Sequence, residues 1–162
     1  MPILESLKNR RTYYNITKNI PVNEEAITAL VKEATALTPD AFDMKSSRVV
    51  VVTGEKQNLL WDTIYDVFEG KVPREKIDSF KNGYGTVLYY SDTETVKKLQ
   101  ETYPLYADNF PIWSSQASGM LQLAIWSALR EINVGASLQH YNPVIDEAVR
   151  QLLDVPATWQ LI

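Results

Sequence analysis

Between Trp113 and Ile132 the chain is apolar at almost every helical position, through Ala117, Met120, Leu121, Leu123, Ala124, Ile125, Trp126, Ala128 and Leu129. A helix without a polar face cannot lie on a surface with one side in water, so it must be covered on several sides. The cover comes either from the chain's own core or from a second subunit. With 162 residues, 45% of them hydrophobic, the chain suits one compact domain built around this helix.

The flanking segments read as the layers that pack against it. Asn23 followed by Glu24 and Glu25 is an N-cap with acids in the first turn, and Ala26, Ile27, Leu30, Val31 and Ala34 repeat at helical spacing. Thr38-Pro39-Asp40 closes that helix. Val49-Val50-Val51-Val52, ended by Gly54, is a β-branched run that reads as a buried strand, with a helix predicted over 56–68. Pro73 fits the first turn of a helix ending near Asn82-Gly83, Thr86–Tyr90 reads as a second strand, and a short helix follows over 93–100. Beyond the apolar helix, Gly135 suits a left-handed helix end. Pro143 opens a helix through Leu153, and Trp159-Gln160-Leu161-Ile162 begins another strand.

Composition narrows the chemistry. The net charge of −4 argues against nucleic acid as the main partner, because backbone phosphates require a basic face. Absence of cysteine removes disulfides, thiolate nucleophiles and Cys-ligated clusters, and agrees with a reducing cytoplasm. Gly119–Leu129 is interrupted by Gln122 and Ser127 and is too short to span a bilayer, so no membrane role is expected. A single histidine, His140, excludes multi-histidine metal sites. Gly135-Ala136-Ser137-Leu138-Gln139 lacks the second glycine of a nucleophile elbow, and Gly83-Tyr84-Gly85 leads into a strand instead of a phosphate-binding helix. The residues therefore name no catalytic acid or base, as expected where a bound organic cofactor carries the reaction. Arg10-Arg11-Thr12, at the end of a short amphipathic segment (Ile3, Leu4, Leu7), offers two guanidinium forks and a hydroxyl to a phosphate. Two solvated surface charges are the plainer reading of the same triplet.

Four segments together resemble the nitroreductase family: Arg10-Arg11-Thr12-Tyr13-Tyr14, Pro39 to Arg48, Tyr106 to Trp113, and Gly135 to Pro143. The likeness runs over essentially the whole chain, in particular to the small single-domain branch of fungal and lactic-acid-bacterial proteins. It implies an α+β fold of three layers, an antiparallel or mixed central sheet with helices on both faces. It also implies a homodimer with FMN at the interface, passing hydride from NAD(P)H to nitroaromatics, quinones or similar acceptors by a ping-pong scheme. Carried over by position, Arg10, Arg11 and Thr12 would hold the FMN phosphate and ribityl chain, and Tyr14 would lie near the ring system. Ser137, Leu138, Gln139 and His140 would border the reactive edge, and the loop Asp40 to Lys45 would approach the partner's flavin. His140 stands evenly between that role and a hydrogen-bonded structural one.

Two departures from the family pattern qualify the transfer. Where the family shows Pro-Ser-x-x-Asn-Ser-Gln, this chain has Pro39-Asp40-Ala41-Phe42-Asp43-Met44-Lys45. Asp43 can accept from flavin N3–H but cannot donate, and it disfavours an anionic reduced flavin unless Lys45 compensates. A lowered potential or weaker affinity is expected. Family members also continue past Trp159 into an arm that embraces the partner, so residues 1–162 read as a nitroreductase-like domain truncated at its C-terminus. The alternative is a flavin-poor member acting as a non-catalytic small-ligand binder or regulatory dimer. Trp113, Met120 and Trp126 are expected in the core.

Overall fold

The structure is a computed structural model that describes residues 2–162. Among them the chain forms seven helices and three strands: α1 (Ile3–Asn9), α2 (Glu24–Leu37), β1 (Ser47–Thr53), α3 (Gly54–Val67), α4 (Arg74–Lys81), β2 (Gly85–Asp92), α5 (Thr93–Thr102), α6 (Phe110–Glu131), α7 (Asp146–Leu153) and β3 (Trp159–Leu161). Short 3₁₀ segments, Ala41–Asp43 and Pro104–Asn109, precede β1 and α6.

The strands pair antiparallel in the order β1-β2-β3. Because side chains alternate along a strand, the valine run feeds two cores at once. Val49 and Val51, with Val87 and Tyr89 opposite them, pack against Ile27 and Val31 of α2 and Leu121, Ile125 and Leu129 of α6. Val50 and Val52, with Leu88 and Tyr90, pack on the other face against Leu60, Trp61 and Ile64 of α3, Ile77 and Phe80 of α4 and Val149 of α7. The three-layer α+β arrangement follows. A polar brace ties the second layer to the sheet, since Trp61 Nε1 donates to Thr86 Oγ1 (3.0 Å), which donates to buried Gln57 Oε1 (2.6 Å).

Local signals act as the chemistry requires. Asn23 Oδ1 accepts from the Ala26 amide at 3.0 Å, and Thr38 Oγ1 donates to the Ala34 carbonyl at 2.7 Å, so both ends of α2 are capped by their own side chains. Several expectations are corrected. α3 begins at Gly54 and α6 at Phe110, earlier than the apolar pattern alone marks. α7 begins at Asp146, because the stretch from Pro143 is a turn after a cis Asn142-Pro143 bond. The left-handed residue after α6 is Asn133 (φ 61°), not Gly135. Met120 is half exposed and Trp126 lines a cleft, so of the three residues expected in the core only Trp113 packs against a buried cluster. Ile3 and Leu4 of α1 face solvent, and the buried residue of that helix is Ser6, whose hydroxyl bonds Glu131 of α6.

Candidate functional site

α1 and the end of α6 bring two of the sequence-predicted segments together. Thr12 forms a parallel bridge with Ala136, and the Tyr13 amide donates to the Ala136 carbonyl at 3.1 Å. Gly135 explains how the backbones approach so closely. A Cβ there would stand 3.0 Å from Tyr13 Cγ and 3.1 Å from Cδ2, nearer than carbon atoms normally pack. The requirement for glycine is therefore steric contact with Tyr13, a cause that no local pattern announces.

This bridge sets Thr12 beside Ala136, one residue before Ser137, Leu138, Gln139 and His140, while Arg10, Arg11 and Thr12 are not among the residues lining the cleft that those four border. The Arg10 guanidinium lies 4.2 Å from the centre of the Trp126 ring, and Trp126 Nε1 donates to the Ala136 carbonyl at 3.2 Å. Arg11 Nη1 reaches the Arg10 carbonyl at 2.8 Å. Neither arginine pairs with a carboxylate among the described residues. The backbone N–H groups of Ser137, Leu138, Gln139 and His140 donate no hydrogen bond among the described residues, although such groups normally find a partner. Gln139 Nε2 donates to Ser137 Oγ at 3.3 Å. His140 is exposed and makes no side-chain hydrogen bond among the described residues.

Ser137–His140 border a cleft of about 500 Å³, floored by Gly85–Tyr89 of β2 and bounded by Tyr13, Ile16, Trp126 and Arg130. Among the described residues no Asp or Glu side chain lines it, and Arg130 contributes the guanidinium, its Nη1 donating to Asn133 Oδ1 at 3.2 Å while its buried Nε lacks a partner. Burial pushes the hydroxyls of Tyr89 and Tyr141, both on this cleft, up from the ordinary tyrosine value, Tyr89 the more strongly. Arg130 and Trp126 escaped sequence reasoning because each merely continues the pattern of α6. Tyr14 is exposed beside Tyr13 and makes no ring contact among the described residues.

The loop Asp40 to Lys45 lies elsewhere. Asp40 and Lys45 line a second cavity, about 400 Å³, together with Arg48, Trp159 and residues of α2. Lys45 Nζ pairs with Asp43 Oδ1 at 2.8 Å on the surface, the compensation its spacing allows. Within one chain this loop does not join the Arg10–Thr12 and Ser137–His140 segments, and Asp40 points inward to Ser46.

The three-layer α+β domain thus joins a segment with two arginines and a hydroxyl to a segment of free amides through one backbone bridge. The chain belongs to the nitroreductase family, whose model matches residues 7–162. It is 31% identical over 159 residues to nitroreductase FRM2 of Saccharomyces cerevisiae, covering 96% of this chain and 81% of that protein. Its fold superimposes on nitroreductase CinD from Lactococcus lactis, solved in complex with chloramphenicol, with a TM-score of 0.93, 42% identity, and coverage of 98% and 84% of the two chains. A crystal structure of a nitroreductase from Saccharomyces cerevisiae matches with a TM-score of 0.87 and 30% identity, covering 98% and 89%. No helix among the described residues is long and apolar enough to cross a membrane.

Proposed function

We propose that this protein is an FMN-dependent, NAD(P)H-consuming reductase of nitroaromatic, quinone or similar acceptors. Family membership gives the reaction class. The observation that supports the cofactor is the Thr12–Ala136 bridge, which joins the segment carrying two arginines without carboxylate partners to the segment whose Ser137–His140 amides donate no hydrogen bond among the described residues. The donor set fits FMN: guanidinium forks suit a phosphate, and consecutive N–H groups suit the acceptor edge of a flavin ring. FMN, when bound, supplies the two-electron chemistry.

In this reading Arg10, Arg11 and Thr12 hold the phosphate end, with Trp126 bracing the Arg10 guanidinium. Ser137, Leu138, Gln139 and His140 fix the ring edge. Tyr14 would lie close to the ring system, and Asp43 and Lys45 would reach the flavin of a second subunit, which accounts for their distance from the other segments within one chain. The functional unit is thus a homodimer. L. lactis CinD, solved with 4-nitrophenol, chloramphenicol and nicotinic acid, supports small aromatic compounds as the acceptor class.

Purified protein titrated with FMN tests the reading, followed by anaerobic NADH or NADPH. Uptake with bleaching of the flavin bands is expected. Arg10→Ala should weaken FMN binding about 10- to 100-fold, the worth of one charge-assisted hydrogen bond. Protein that stays colourless with excess FMN would instead support non-catalytic ligand binding.

A further inference from the structure

The loop from Asp40 to Ser46 holds an unusual backbone. Phe42, Asp43 and Lys45 have φ of 54°, 49° and 54°, the left-handed region that side-chain-bearing residues avoid. Such a run persists only where its surroundings over-determine it. From outside, Phe42 stacks on Trp113 with ring centres 5.7 Å apart and planes 18° from parallel. From inside, the anchor is a file of hydroxyls. Asp40 Oδ2 accepts from the Ser46 amide (2.8 Å) and the Ser46 hydroxyl (2.7 Å), and Ser46 Oγ accepts in turn from Ser114 Oγ at 2.9 Å.

Ser114 and Ser91 lie 2.6 Å apart, and proton counting decides which of them donates. Ser46 has spent its hydrogen on Asp40 and Ser114 has spent its own on Ser46, so Ser91 must donate to Ser114. The hydroxyl dipoles therefore run one way, from Ser91 in β2 through Ser114 in α6 to Ser46 and the carboxylate. Aligned bonds of this kind polarise one another in a dry interior. Ser46, Ser91 and Ser114 are 0%, 8% and 2% exposed, so water cannot replace a missing member.

We propose that the Ser91–Ser114–Ser46–Asp40 file is a positioning device that locks the Phe42–Lys45 loop in its left-handed form and so fixes the Asp43–Lys45 pair it presents. Asp40 is then a positioning residue, acting through the loop backbone. The consequence for the cofactor rests on the FMN reading above; the consequence for loop order does not.

The test uses Ser114→Ala, which cuts the file in the middle, and Ser91→Ala, which removes its far end. Val149→Ala, in the layer across the sheet, serves as a control of general destabilisation. Trypsin cleavage after exposed Lys45 is measured against cleavage after Lys71, in the exposed turn between α3 and α4. Ser114→Ala should raise that ratio about tenfold and weaken FMN binding about fivefold or more, with Ser91→Ala intermediate and Val149→Ala changing neither. Equal acceleration at both lysines overturns the proposal, and a raised ratio with unchanged FMN binding in Ser114→Ala, where wild-type protein takes up FMN, overturns its consequence for the cofactor. If Ser114→Ala does not fold, Ser91→Ala decides by the same ratio. Wild-type protein that takes up no FMN overturns the flavin reading alone, and the cleavage ratio then decides the file.

Discussion

Substituting Gly135 by alanine tests whether contact with Tyr13 sets the site's geometry. The added methyl would stand 3.0, 3.1 and 3.3 Å from Tyr13 Cγ, Cδ2 and Cβ. Carbon pairs rest near 3.5–4.0 Å, so the tyrosine must retreat by roughly half an ångström. Its amide is tied to the Ala136 carbonyl and its ring lies 5.9 Å from the Arg130 guanidinium, so retreat strains the bridge between the Arg10–Tyr14 and Gly135–His140 segments. Overpacking of this kind costs about 1–3 kcal/mol. Gly135 does not occupy the left-handed region, so alanine also returns about 0.4–1 kcal/mol by restricting the unfolded chain. Gly135→Ala should therefore destabilise by about 0.5–2 kcal/mol. In a Tyr13→Ala background the clash is gone, and the same substitution should stabilise by about 0.4–1 kcal/mol. Urea denaturation of the four proteins gives the coupling, expected at roughly 1–3 kcal/mol. Additivity within about 0.5 kcal/mol would refute the steric account, because sites that do not touch add to that precision.

Three further outcomes are expected. Leu121→Ala, at 1% exposure where α6 meets the sheet and α2, should cost about 2–5 kcal/mol in denaturant titration; a loss under about 1 kcal/mol would mean that the helix is not seated as described. Burial raises the Asp146 carboxyl above its ordinary value, and its Oδ1 has no hydrogen-bond partner among the described residues. A carboxyl raised by folding adds stability below its unfolded value and loses it as pH rises through its folded value, so Asp146→Asn should flatten the decline in Tm as pH rises above about 4. An unchanged profile counts against it. Asp43→Asn should raise FMN affinity or the flavin midpoint potential, and no change in either removes Asp43 from the site.

Much of the fold is legible because its causes are local. Asn23 caps α2 with its own side chain, and the valine run is a strand because β-branched residues suit a sheet covered on both faces. Element ends drift where neighbours decide them: α6 starts at Phe110, a fully buried ring packed against Met44 and Val96, residues far away in sequence. The site divides the same way. Arg10-Arg11-Thr12 allows a phosphate clamp by residue type but reads more plainly as surface charge, whereas Trp126 under Arg10 carries no site signal at all because only packing makes it a brace.

The sequence by itself determined the helices, the valine strand, the lack of cysteine and metal-binding histidine clusters, and the cationic triplet. Each follows from side-chain chemistry or from periodicity over a few residues. Tertiary structure alone decided that Thr12 lies against Ala136, that Gly135 is required by Tyr13, and that Asp40 turns inward to a file of serines gathered from β2, α6 and the loop. Those contacts join residues up to more than a hundred positions apart. No local rule encodes them, since they arise only when both cores close on the same sheet.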